Sequence, residues 1–474
     1  MRVKLQYSLA AGLVVCLASI TPQAGAVTKE FDADSGNWNV SGNWSPTGIP
    51  AAADEVKIKY SNNTCFIPNG YTATALRMYV YSEGTGSLVV SGTMQISTNW
   101  IKVGFEHNDG RMYQTGNVTL DDGADLIIGD GGSNRYTDGP GSYYLQGGTL
   151  SADSLRLGTN AGTGNMYQSG GTAIVNTIQV GYDGTGTYQM TGGSIYNAGT
   201  LRVGYAYLAG TAATGTFTHS AGTMTASSDI HIGYNANGTG TYTLSGSGVV
   251  LGLTSKTLYV GRSGTGTYNQ TGGSIVIGTV NIAYNAGSTG TFNLSGGSLV
   301  ANTVSKGSGT ATFNFTGGTL KTDNVAFAFT NSGGVLDIGV GGVNGSATID
   351  GNLTLSSGKL KMELASLASY DKLAVTGSAT LGGVLDISLL SGYTPNYNDS
   401  WTILTASAGI TGSFSTIPQN YSVTLASGGT QMVLTYVPEP STFLLLALGG
   451  MLRLGWGRRT RLTGRKASPV RLAA

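Results

Sequence analysis

The sequence is short of what cross-linking and catalysis usually need. Charged residues make up 10% of the 474-residue chain, against about 25% in an ordinary globular domain. There are two cysteines, Cys16 and Cys65. Cys16 lies in an N-terminal apolar stretch, so one thiol remains beyond it and no internal disulfide can staple the fold. The three histidines, His107, His219 and His231, stand far apart with no metal-ligand spacing. No Ser-His-Asp, Cys-His or HExxH arrangement is present. From Val27 to Pro440 there are 16 basic residues against 24 acidic ones, a net of −8, which argues against a nucleic-acid partner.

What is abundant is glycine, 76 residues, roughly twice the usual share. A run such as Val180 to Ser194, "VGYDGTGTYQMTGGS", invites comparison with a phosphate-cradling loop. Such a loop is a single event that opens a helix, whereas this phrase returns as "GTGTYTLSGSG", "GTGTYNQTGGS", "STGTFNLSGGS" and "SGTATFNFTGGT". Its bulky member falls at Leu88, Met112, Tyr143, Met166, Tyr188, Phe217, Tyr242, Tyr268, Phe292 and Phe313. A period of about 20 to 30 residues is the signature of a solenoid, and the regular return of apolar residues argues against disorder.

Within one repeat, Tyr188 and Met190 alternate with polar neighbours, and Leu201 and Val203 flank Arg202. This is the pattern of half-buried strands, with Gly192-Gly193 supplying a turn that needs positive φ. The second strand recurs at Ile101-Val103, Leu155-Leu157, Ile178-Val180, Ile230-Ile232 and Leu258-Val260, each followed by glycine. The expected fold is all-β, a right-handed parallel β-helix. The array spans 86–345, with a capping segment over 27–85 that carries Trp38 and Trp44, and a C-terminal β cap over 346–436. A β-propeller blade would need roughly twice this spacing.

Two aromatic columns follow from the register. Leu and Met replace Tyr at the first, which suits packing and not sugar stacking, so Tyr188 and its equivalents are expected inside. The second column, Phe105, Tyr182, Tyr205, Tyr234 and Tyr284, tolerates Thr159 and Arg262 in the same place. That tolerance predicts partial exposure and makes the column a candidate glycan-contacting stripe. The one dense acidic patch, Asp121, Asp122, Asp125 and Asp130, with Asp138 beyond, is read as a long corner loop. Its roles are a solvated turn, a weak candidate Ca²⁺ site, or a carboxylate pair of the kind carbohydrate-cleaving β-helices use.

The chain opens with a basic n-region, an apolar stretch and Ala24-Gly25-Ala26, which predicts a signal peptide over 1–26, cleaved after Ala26. The Gly-rich repeats and the longer strands of Tyr370 to Phe414 resemble autotransporter passenger repeats and the end of such a passenger. The segment after Tyr436 is too short for the membrane barrel that would follow in a true autotransporter. Instead it reads Pro438-Glu439-Pro440, an apolar stretch from Phe443 to Leu452, and Arg458, Arg459 and Arg461. That order resembles a PEP-CTERM sorting signal, here over 437–461 with a basic tail over 462–474. The resemblance implies an exosortase-type processing enzyme as partner, transient inner-membrane insertion, and the surface, outer envelope or extracellular matrix of a Gram-negative bacterium. Together these features predict an exported structural or adhesive solenoid in contact with polysaccharide, with no cofactor and no catalytic residues. A carbohydrate-active β-helix enzyme with its site at Asp121 to Asp138 is the alternative.

Overall fold

The computed structural model describes residues 26–59, 63–81, 86–121, 123–137, 139–197, 199–342 and 345–438. Strand accounts for 61%, wound into a parallel β-solenoid of about 15 turns. At about 4.8 Å per layer, the stack is about 70 Å long. No helix of the described residues is long and apolar enough to cross a membrane.

One coil explains the rest. Thr185–Met190, Ser194–Asn197 and Leu201–Tyr205 form its three faces. Each pairs in parallel with its counterpart one coil earlier and one coil later. Because side chains alternate along a strand, Tyr188, Met190, Ile195, Leu201 and Val203 all point inward and are fully buried. The corner between the first two faces is Gly192-Gly193, with φ +76° at Gly193.

The first face carries the expected internal ladder. Cys65, Leu88, Met112, Tyr143, Met166, Tyr188, Phe217, Tyr242, Tyr268, Phe292 and Phe313 pair one above another without a break in register. From Tyr188 to Phe313 the rings stack with centroids 4.6 to 5.4 Å apart. Stacked identical positions therefore replace a mixed core.

Both ends are closed. Parallel pairing begins at Thr28, which lies against Glu55 and through it Arg77, so the strands of 27–85 are themselves coils. Closure at this end falls to the antiparallel contact of Thr28–Phe31 with Trp44–Ser45. There the rings of Trp38 and Trp44 meet edge to face at 4.8 Å, and Trp44 Nε1 donates to the Trp38 carbonyl at 2.8 Å. The coils also run on through 346–406 in unbroken parallel register. In this stretch the first face becomes a separate four-stranded sheet. The last coil is covered by Gln431–Tyr436, which pairs antiparallel with Ser400–Ala406 on one side and with Tyr421–Ala426 on the other. Antiparallel pairing covers the third-face edge at each end, the kind of open edge that would recruit other chains.

Candidate functional site

The third face is where cations and exposed aromatic rings collect. Its strands end in a glycine with positive φ, as at Gly104, Gly181, Gly204, Gly233 and Gly261. That turn throws the next residue outward. Two outward columns result. One runs Lys57, Tyr79, Lys102, Ile127, Arg156, Gln179, Arg202, His231, Tyr259 and Asn281 in continuous register. The other follows the positive-φ residue, glycine except for Ala283, and contains Phe105, Tyr182, Tyr205, Tyr234 and Tyr284.

Toward the N-terminus the cations Lys57, Arg77, Lys102 and Arg156 each have a carboxylate. Glu55 takes Lys57 at 3.1 Å and Arg77 at 2.5 Å, Asp130 takes Lys102 at 2.6 Å, and Asp125 takes Arg156 at 3.0 Å. Phe105 belongs here, with its ring 5.4 Å from Tyr79 and 6.0 Å from Tyr81 and the Lys102 ammonium 4.7 Å from its centroid.

This arrangement corrects the reading of the acidic patch as a corner loop. Asp125–Asp130 is a strand of the third face, and its carboxylates occupy the places that Trp100 and Phe105 hold one coil earlier. Asp130 is buried and bonded to Lys102, to Asn160 Nδ2 at 2.8 Å and to the Gly132 amide at 3.0 Å. Burial works against its charge, but these donors prevail and hold the carboxyl below its ordinary range. At Asp125 the balance reverses. Burial raises its pKa and Arg156 only partly offsets it. Asp121 is exposed, while Asp122 and Asp138 lie outside the described residues. Among the described residues no group of three potential metal ligands converges.

Toward the C-terminus the rings close into one patch over five coils. Tyr182 meets Tyr205 edge to face at 5.4 Å, Tyr205 meets Tyr234 at 5.1 Å, His231 stacks on Tyr259 at 5.0 Å, and Tyr259 meets Tyr284 at 5.1 Å. Tyr207, on the turn after Tyr205, stacks on Tyr182 at 5.3 Å. Arg202 lies 4.8 Å from the centroids of both Tyr205 and Tyr234, and Arg262 lies 4.5 Å from Tyr234, within cation–π range. Burial, reinforced by these two arginines, pushes the His231 pKa down to about 3, so its imidazole is neutral near pH 7. Burial likewise raises the Tyr182 hydroxyl to about 12.

The structure thus brings Tyr182, Tyr205, Tyr234 and Tyr284 together and sets Phe105 apart in the ion-paired cluster. It adds Arg202, His231, Tyr207, Tyr259 and Arg262, which sequence reasoning had passed over. The signal was present in the residue between the two apolar positions of each "LRVGY"-like strand, where cations and aromatics recur. On the first face, Tyr113, Tyr144 and Tyr167 also form an outward stack at 4.6 and 4.9 Å, whose rings cover one another. Of the processing positions, Ala26 and Pro438 are described, both outside strands. Ala24, Glu439, Pro440, Arg458, Arg459 and Arg461 lie outside the described residues. No family model and no curated protein matches the chain.

Proposed function

We propose that this protein is an exported, surface-sorted β-solenoid that serves as a structural or adhesive component of the cell envelope or extracellular matrix, in contact with polysaccharide. The observation that carries the reading is the third face, an aromatic strip crossing successive coils of the stack. Such a surface is open and linear, suited to a polymer lying along it. Rings at regular intervals offer apolar faces to sugar C–H groups, while the solenoid supplies the rigid platform on which recognition depends.

Export and sorting enter the proposal from the leader over 1–26 and the Pro-Glu-Pro tail. The non-enzymatic part draws on the ion pairs at Asp125 and Asp130. Asp130, whose charge is held in place by Lys102, Asn160 and the Gly132 amide, is poorly placed to act as a general acid.

The test is to incubate the purified protein with a panel of bacterial and plant polysaccharides and follow both retention and chain length. Retention without shortening is the expected result. Shortening that is lost on Asp125→Ala or Asp130→Ala would replace this reading with a carbohydrate-cleaving one.

A further inference from the structure

Along the third face the pairing of cations with carboxylates stops after Arg156. Arg202 and Arg262 have no carboxylate partner among the described residues, although the chain from Val27 to Pro440 carries excess acid. The nearest acids are already engaged. Asp183 Oδ1 accepts from the Leu208 amide at 2.9 Å and the Thr211 hydroxyl at 2.7 Å, and Asp229 Oδ1 accepts from the Thr257 amide at 2.8 Å.

Both guanidinium groups are held against Tyr234, Arg202 from one coil below and Arg262 from one coil above. His231 sits on the coil between Arg202 and Tyr259. Arg202 Nε and His231 Nδ1 are both buried and without a hydrogen-bond partner. Buried polar atoms in native proteins are ordinarily satisfied, and two guanidinium groups without a carboxylate, gathered on one tyrosine ring, offer donors to an acceptor from outside the chain.

We infer that Arg202, His231 and Arg262, with the exposed rings of Tyr207 and Tyr284, form a subsite for a carboxylate-bearing polysaccharide of the polyuronate class. The inference rests on the polysaccharide contact proposed above and specifies its chemistry. Two coils separate the arginines, about 10 Å, which suits carboxylates recurring along an extended chain. Planar guanidinium groups match carboxylates in bidentate fashion. Tyr207 and Tyr284 are 57% and 43% exposed, one toward each end of the patch, where sugar rings on either side of the carboxylates would stack. A dense polyanion fits poorly on a chain whose stretch from Val27 to Pro440 is negative overall.

The experiment measures binding of the purified protein to polygalacturonate, polymannuronate and hyaluronan, each beside its carboxyl-reduced form, with linear polyphosphate as a polyanion control. At least one polyuronate should bind ten times or more tighter than its reduced form and than polyphosphate. The R202Q/R262Q variant, checked by circular dichroism to be folded, should bind the acid polymer no tighter than its reduced form. Equal binding of acid and reduced forms overturns the inference and leaves polysaccharide contact standing. Polyphosphate binding as tight as any polyuronate also overturns it, in favour of a general anion site. Absence of binding to every polymer defeats both.

Discussion

At the scale of single residues, the ladder of the first face shows how a repeated position can still carry individual chemistry. The residue two places after each ladder position also points inward, and in four coils it is polar: Gln114, Gln168, His219 and Gln270, all buried. Each satisfies a backbone carbonyl near the glycine turn or on the next coil, as Gln168 Nε2 does for Ser194 at 2.9 Å and Gln270 Nε2 for Ser298 at 2.9 Å. The remaining polar atom then serves the ladder residue of the following coil. Tyr188 donates to Gln168 Oε1 at 2.6 Å, Tyr143 donates to Gln114 Oε1, and the Tyr242 hydroxyl pairs with His219 Nδ1 at 3.1 Å. Where the preceding coil offers Met190 or Leu294, the ladder residue is Phe217 or Phe313. The rule breaks once. Tyr268 follows Leu244 and Phe292 follows Gln270, and both the Tyr268 hydroxyl and Gln270 Oε1 are left unpartnered. Tyr188→Phe should therefore destabilise by about 1–3 kcal/mol, the cost of stranding a buried acceptor. The Y268F/F292Y double variant should instead melt higher than the unaltered protein. Equal losses from both variants in thermal unfolding would contradict the pairing.

The ladder itself was legible because an inward column must keep an apolar residue in every coil, and a period survives substitution by Leu or Met. Its polar neighbours were not, since Gln168 and His219 look like ordinary strand residues until the next coil is placed above them. The same reason hid Arg202 and His231. Outward alternation in any single strand reads only as solvent exposure, and the strip exists only when coils are stacked. Arg262 looked like an interruption of the tyrosine column because its contact is with Tyr234 of the coil before.

At the scale of elements, the corner after the third face explains the repeated Val-Gly dipeptide. Gly204 has φ +73°, and a Cβ built on it would lie 2.3 Å from the Thr239 carbonyl oxygen, two coils further along the stack. Both the backbone conformation and this close approach demand glycine. Gly204→Ala should thus cost more than the roughly 1 kcal/mol that left-handed strain alone imposes, because main chain has nowhere to move without breaking the ladder. Gly210→Ala, also at positive φ but with no atom near its Cβ, is the control. A Gly204 variant that unfolds at the same denaturant concentration as the Gly210 variant would show that coil spacing is adjustable there. Element reading failed at "DLIIGD", 125–130, for a related reason. Acids at both ends and an apolar residue at the outward position, Ile127, mask a strand whose inward residues, Leu126 and Ile128, follow the rule of every other coil.

At the scale of the whole molecule, length is set by counting coils, and each coil contacts chiefly its neighbours, so stability grows by addition along the stack. The period marked the array within 86–345. It did not mark the coils of 27–85 and 346–406, where the Gly-rich phrase is diluted but the inward columns persist, from Val56 and Met78 at one end to Val375 and Ala406 at the other. Function at this scale depends on where the rod is put. Basic residues remain on the cytoplasmic side of a membrane, so on the proposed export Arg458, Arg459 and Arg461 would stay inside while the coils cross. On the proposed sorting, a membrane peptidase would cut the chain at Pro438-Glu439-Pro440. Mass spectrometry of the protein recovered from the cell surface tests this account most directly. It predicts a mature chain that starts at Val27 and ends near Pro440, whereas a surface form ending at Ala474, or a full-length chain confined to the cytoplasm, would contradict it.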